Sequence, residues 1–154
     1  MNIFALSKDP AQCAEWMCDK HVVKMTLETA QILSTVNYIH DRWTDGMYKP
    51  THKNHPCVLW TAENWHNYGW LILHGFALSQ EYTKRYGKVH KTHAVLCELS
   101  HTHLHAVDTT PFARCFPDDI TIECTHEAYR EYYRQKAKTM DMKWKLGHPP
   151  LWMG

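Results

Sequence analysis

Apolar and polar residues along this chain alternate with the period of helices, and no stretch shows the strict two-residue alternation of a half-buried strand. The clearest case begins at Asp19. Val22, Val23, Leu27, Ala30, Leu33 and Val36 gather on one side, and His21, Lys24, Glu28 and Gln31 recur at i, i+3, i+7 and i+10 on another. This pattern predicts a long two-faced helix from a cap at Asp19 to about residue 40. Asp9-Pro10 reads as an N-cap with proline at the first helical position, opening a short helix that ends near Cys18. Asp45-Gly46 and Lys49-Pro50 mark a loop, and Pro56 opens a third helical segment. Thr61 is a candidate cap for a further helix through Trp65, Tyr68, Leu71, Ile72, Phe76 and Leu78, stopped by Gly87. Residues 89–104 read as helix and 108–119 as loop. Thr125 is a candidate cap for a helix carrying Tyr129, Tyr132, Tyr133 and Arg134, and a Gly/Pro-containing tail follows. The prediction is a single all-α domain spanning 1–154.

Composition fits this picture. A chain of 154 residues with 44% hydrophobic and 12% aromatic residues can build a core and is not disordered. No apolar run is long enough for a membrane span, so no membrane partner is expected. The start, Met1-Asn2-Ile3-Phe4-Ala5-Leu6, lacks the basic and long apolar regions of a signal peptide. A cytoplasmic protein with six reduced cysteines is the expectation. The net charge of +1 leaves nucleic-acid binding to local basic faces.

Four clusters could carry chemistry. His21 and Glu28 place an imidazole and a carboxylate on one helix, beside Lys20 and Lys24. That set is able to move protons or steady positive charge, and equally fits a solvated face. His52-Lys53-Asn54-His55 precedes Pro56, where a helix N-terminus offers free N–H groups to phosphate. Lys84 and Arg85 sit among Tyr82, Tyr86, Lys88 and Lys91, a mixture suited to phosphates and bases or to a solvated helix end. The fourth, His101-Thr102-His103-Leu104-His105 with Cys97 and Cys115, invites a zinc reading. No standard pair of ligand spacings completes it, so no metal and no cofactor are expected.

Through these residues the chain resembles the phage endonuclease V-type pyrimidine dimer DNA glycosylases. Asp19-Lys20-His21, six residues and then Glu28 match that family's Asp-x-His and catalytic glutamate. Ile3-Phe4-Ala5-Leu6 is similar to its apolar start. Lys53-Asn54-His55-Pro56 matches its Lys-Asn-His-Pro element, and Lys84-Arg85-Tyr86-Gly87 is similar to the end of its next helix. The resemblance covers roughly residues 1–91. It implies an all-α fold and an N-terminal amine that attacks the sugar C1′, displaces the base and forms a Schiff base, with the glutamate promoting strand cleavage. An α-amine suits this role because it ordinarily titrates near 8. Three positions depart from the family. Asn2 stands where the family has a threonine exposed by methionine removal, and Leu27 and Gln31 stand where it has arginines.

The resulting expectation is a DNA glycosylase, with an accompanying AP lyase step left open, acting on a damaged or modified base in double-stranded DNA. Met1 or Asn2 would supply the amine, with His21 and Glu28 as catalytic groups. Lys20, Lys24, Gln31, His52, Lys53, Asn54, His55, Lys84 and Arg85 would contact DNA. A phage enzyme that acts on a nucleotide or modified base without strand cleavage, and a non-catalytic DNA-binding or host-interaction protein on the same scaffold, are the alternatives.

Overall fold

A computed structural model describes residues 1–101 and 108–154. The architecture is all-α: α1 (Pro10–Trp16), α2 (Asp19–Ile39), α3 (Pro56–Glu63), α4 (Trp65–Tyr86), α5 (His93–Leu99) and α6 (Thr125–Ala137), with a closing 3₁₀ turn at Leu151–Met153. No strand occurs among the described residues, and no helix among them is long and apolar enough to cross a membrane.

The two long helices, α2 and α4, form the spine, with α1 against α4 and α3 bridging both. Their close approach is fixed at Gly75. A Cβ there would lie 2.9 Å from Leu96 Cδ2 and 3.1 Å from Thr29 Cγ2, so only glycine lets α5 and α2 meet α4 at this point. Gly87 ends α4 in the left-handed conformation at φ 70°, as its position in the sequence predicts.

Some helix ends fall differently from the predicted caps. Cys18, not Asp19, is the N-cap of α2, and the Asp19 carboxylate accepts bonds from Arg85 and from the Lys145 amide. Thr61 lies inside α3 and donates to the Cys57 carbonyl, while Asn64 caps α4 by accepting from the Asn67 amide. Thr125 is the first helical residue of α6 after Cys124. The helix expected over 89–104 is shorter, because His93 opens α5 and Leu99 ends it. His103 and His105 lie outside the described residues.

The feature that positions the site is the N-terminal segment. Ile3, Phe4, Ala5 and Leu6 run through the core without regular secondary structure, almost wholly buried. Buried backbone polar groups must find partners, and here side chains supply them. His126 donates to the Ala5 carbonyl, Arg130 to Leu6 and Cys13 to Phe4. Asn2 Oδ1 accepts from the amides of Ile3 and Phe4, and Asn2 Nδ2 donates to the Cys115 carbonyl at 2.7 Å. Phe4 has φ 52°, a left-handed conformation uncommon for a large side chain. Its ring is clamped between His21 and Tyr132.

Candidate active site

The core face of α2 differs from the predicted one in two places. Val23 and Leu27 are exposed at 39% and 37%, while His21 is buried at 4%. The outward stripe therefore reads Lys20, Val23, Lys24, Leu27 and Gln31, with Glu28 at its inner edge.

Glu28 meets the chain's first residue. Its Oε1 lies 3.7 Å from the Met1 nitrogen, with both groups largely shielded from solvent. Its Oε2 is buried and has no hydrogen-bond partner. An unpaired buried carboxylate oxygen is costly, so its persistence marks a place where a proton, a water or a substrate atom belongs.

His55 joins this pair from α3. The loop before it is tied along α2: the Tyr48 amide donates to Ser34, the Thr51 amide donates to Thr35 Oγ1, and the Thr35 hydroxyl is 3.1 Å from the Thr51 carbonyl. A left-handed turn at His52 (φ 51°) then brings His55 round to cap α3, its Nδ1 accepting from the Cys57 amide at 3.1 Å. Burial lowers the His55 pKa below its ordinary value. The positive Met1 amine and His52 lower it further, against the opposing effects of the Met1 backbone and Glu28. Burial and its charged neighbours thus disfavour a proton on this imidazole.

His21 lies beneath this site. Its ring stacks on Phe4 with centroids 4.6 Å apart. The Cys18 amide donates to the Tyr133 hydroxyl, which is 2.8 Å from His21 Nδ1. The hydroxyl thus ties the start of α2 to the His21 ring. Burial pushes the His21 pKa down to about 4, with the charges of Lys136 and Lys24 adding to the effect. His21 therefore supports the segment that carries the amine.

The family model described as pyrimidine dimer DNA glycosylase matches residues 1–95, well over half of the chain, and that span contains Met1, His21, Glu28 and His55. The chain belongs to the pyrimidine dimer DNA glycosylase family. No curated protein and no solved structure matches it. The family's helical glycosylase fold agrees with the architecture above, and its substrate is DNA.

Within this glycosylase scaffold the other predicted contacts separate. Arg85 is a correction: it was expected at phosphate, but it is buried at 7%. Its guanidinium donates to the carbonyls of Met17 and Glu15 and to the carboxylates of Asp19 and Glu81. A guanidinium so engaged locks the α1–α2 corner to the end of α4 and has little left to offer DNA. Asp19, in the family's Asp-x-His motif, is its partner in that lock.

Lys53 lies over the Tyr38 ring at 4.3 Å. Tyr38 is ten residues beyond Glu28, about 15 Å along α2. His52 and Asn54 are exposed on the turn, and Lys20, Lys24 and Lys84 are exposed on their helices. Asn2 is an anchoring residue, with its side chain committed to backbone partners.

Several residues that follow the family match join this neighbourhood without having been placed at it from the sequence. Tyr133 and Lys136 come from α6, with the Lys136 ammonium 5.7 Å from the Phe4 ring centroid and 5.4 Å from that of Tyr132. Cys115 comes from the loop before α6, its amide donating to the Tyr129 hydroxyl. The tyrosine run 129–133 reads equally well as core, and Cys115 stands out in the sequence only beside the histidines at 101–105.

Proposed function

We propose that this protein is a DNA glycosylase that opens the N-glycosidic bond of a damaged or modified pyrimidine in double-stranded DNA, with the Met1 α-amine as nucleophile. The observation that carries this reading is the Met1–Glu28 pair, with one carboxylate oxygen facing the amine and the other buried without a partner. A neutral amine attacks C1′, the bond from C1′ to the base breaks, and the base leaves with a proton. Glu28 takes a proton from the added amine and returns it to O4′ as the C1′–O4′ bond opens, and its carboxylate then steadies the iminium left at C1′. Proton abstraction from C2′ then expels the 3′ phosphate by β-elimination, and water hydrolyses the imine to free the amine. Asn2 cannot easily replace Met1, because its side chain holds the turn that aims the segment.

The surroundings suit DNA. Lys24 and Lys136 flank the site as cations for phosphates. The exposed Val23 and Leu27 beside Glu28 suit contact with an unstacked base step, which duplex opening would provide. His55 lies near the amine, where it can hold water or the sugar, and His21 is a positioning residue.

The test is borohydride trapping on duplexes carrying defined pyrimidine lesions, with the adduct located by mass spectrometry. Wild-type protein should form an adduct at the Met1 nitrogen. Glu28→Gln should fold normally and lose on the order of 10²- to 10⁴-fold in turnover. Equal turnover by Glu28→Gln, or an adduct on a lysine, refutes the assignment. Binding with neither adduct nor base release supports the non-catalytic alternative. Base release without an adduct supports attack by water.

A further inference from the structure

Beside the amine, two thiols that glycosylase chemistry does not use gather around His55. His55 caps α3, Cys57 is in its first turn, and Cys115 arrives from 58 residues away. The two sulfurs are 3.5 Å apart, and the nitrogen of His55 and both sulfurs all lie within 4.8 Å of one another. Cys57 is fully buried; His55 and Cys115 are half-buried and leave a way in.

The sulfur separation discriminates between the two fates open to such a pair. A disulfide needs about 2.05 Å, so the sulfurs would have to close by about 1.5 Å. Two thiolates on one tetrahedral zinc, each bond about 2.3 Å, stand about 3.8 Å apart, within a few tenths of an ångström of the observed spacing. The third donor is a ring nitrogen of His55. The supporting shell is also built. The Cys115 amide donates to Tyr129, which donates on to the Ala113 carbonyl, and the Cys115 carbonyl holds Asn2. Such outer contacts orient ligands at metal sites. Zn²⁺ with two thiolates is neutral overall, so loading adds no net charge beside the Met1–Glu28 pair.

We infer that His55, Cys57 and Cys115 form a binding site for a thiophilic divalent cation, of which Zn²⁺ is the natural occupant, leaving the fourth coordination position to water. The site would staple the loop carrying Cys115 to the start of α3. Through the Cys115–Asn2 bond it would fix the segment that presents the amine. Sequence spacing hid it, because Cys57 and Cys115 are far apart and only the fold brings them to His55.

The inference is tested without DNA, so its outcome is independent of the proposed glycosylase activity. Fully reduced, metal-free protein is titrated with Co²⁺ as a spectroscopic probe and then with Zn²⁺ in competition. The expected result is one equivalent bound with a thiolate-to-cobalt charge-transfer band that Zn²⁺ abolishes. Cys57→Ser and Cys115→Ser should each weaken binding by about 100-fold or more, while Cys97→Ser and Cys124→Ser should leave it unchanged. Absence of the band in wild-type protein overturns the site, whatever the variants do. So does a band that survives Cys115→Ser or disappears with Cys97→Ser, since Cys97 and His93 form another pair at 3.7 Å.

Discussion

Two buried histidines should make this protein sensitive to mild acid. His21 and His74 are each pushed down to about 4, chiefly by burial. His74 is fully buried. It donates from Nδ1 to the Pro10 carbonyl at 3.0 Å and stacks on Trp70, leaving Nε2 without a partner to receive a proton's charge. In the unfolded chain both titrate near 6.5. Between pH 6.5 and 4 the unfolded chain therefore binds more protons, and stability rises with pH. The contribution is complete above the unfolded value and is lost as pH falls toward the folded one. From these values each histidine costs about 2 kcal/mol on going from pH 7.5 to 5, and the two together about 4 kcal/mol. That is a large share of a typical domain's ~5–15 kcal/mol. Urea unfolding followed by tryptophan fluorescence at the two pH values measures it. With a slope near 2 kcal/mol per molar, the midpoint should drop by about 2 M. His74→Gln and His21→Gln should each shrink that drop by about half, whatever they do to stability at pH 7.5. Variants that lose as much as wild type would refute the claim that burial keeps these imidazoles neutral.

Arg85→Ala should destabilise the fold by about 2–4 kcal/mol, since it strands two buried carbonyls and the Asp19 and Glu81 carboxylates. Its log–log salt slope for DNA binding should match wild type, and a slope flatter by one phosphate would return Arg85 to the DNA interface. Lys24→Ala and Lys136→Ala, by contrast, should each flatten that slope by about 0.9 with little change in urea midpoint. Asn2→Ala frees the amides of Ile3 and Phe4 and releases the Cys115 carbonyl. It should slow borohydride adduct formation at saturating DNA more than it weakens DNA binding, and an unchanged trapping rate would show that the amine finds Glu28 without this anchor.

Local physics made much of the architecture legible. The 3.6-residue period from Asp19 onward, the Asp9-Pro10 cap and the Gly87 stop act over a few residues, so α1, α2 and α4 can be read from the chain. The resemblance carried by Ile3 to Leu6, Asp19 to Glu28 and Lys53 to Pro56 likewise led to the family that the match over residues 1–95 shows. Periodicity could not say which polar residues on α2 turn inward. His21 is buried because an aromatic cradle from Phe4 and Tyr133 awaits it, and Val23 and Leu27 are exposed because nothing packs over them. Nor could composition separate Arg85, consumed by carbonyls at a helix corner, from lysines that reach solvent.

What tertiary structure alone decided is the neighbourhood of the amine. Met1 comes to Glu28 because the segment behind it is held by His126, Arg130, the Tyr133 ring against Phe4 and the Cys115 carbonyl, all more than 100 residues away in sequence. Helix propensity and hydrophobic period are local and can be read from neighbours. The partners of a buried non-helical segment are chosen only when the last helix closes over the first residues.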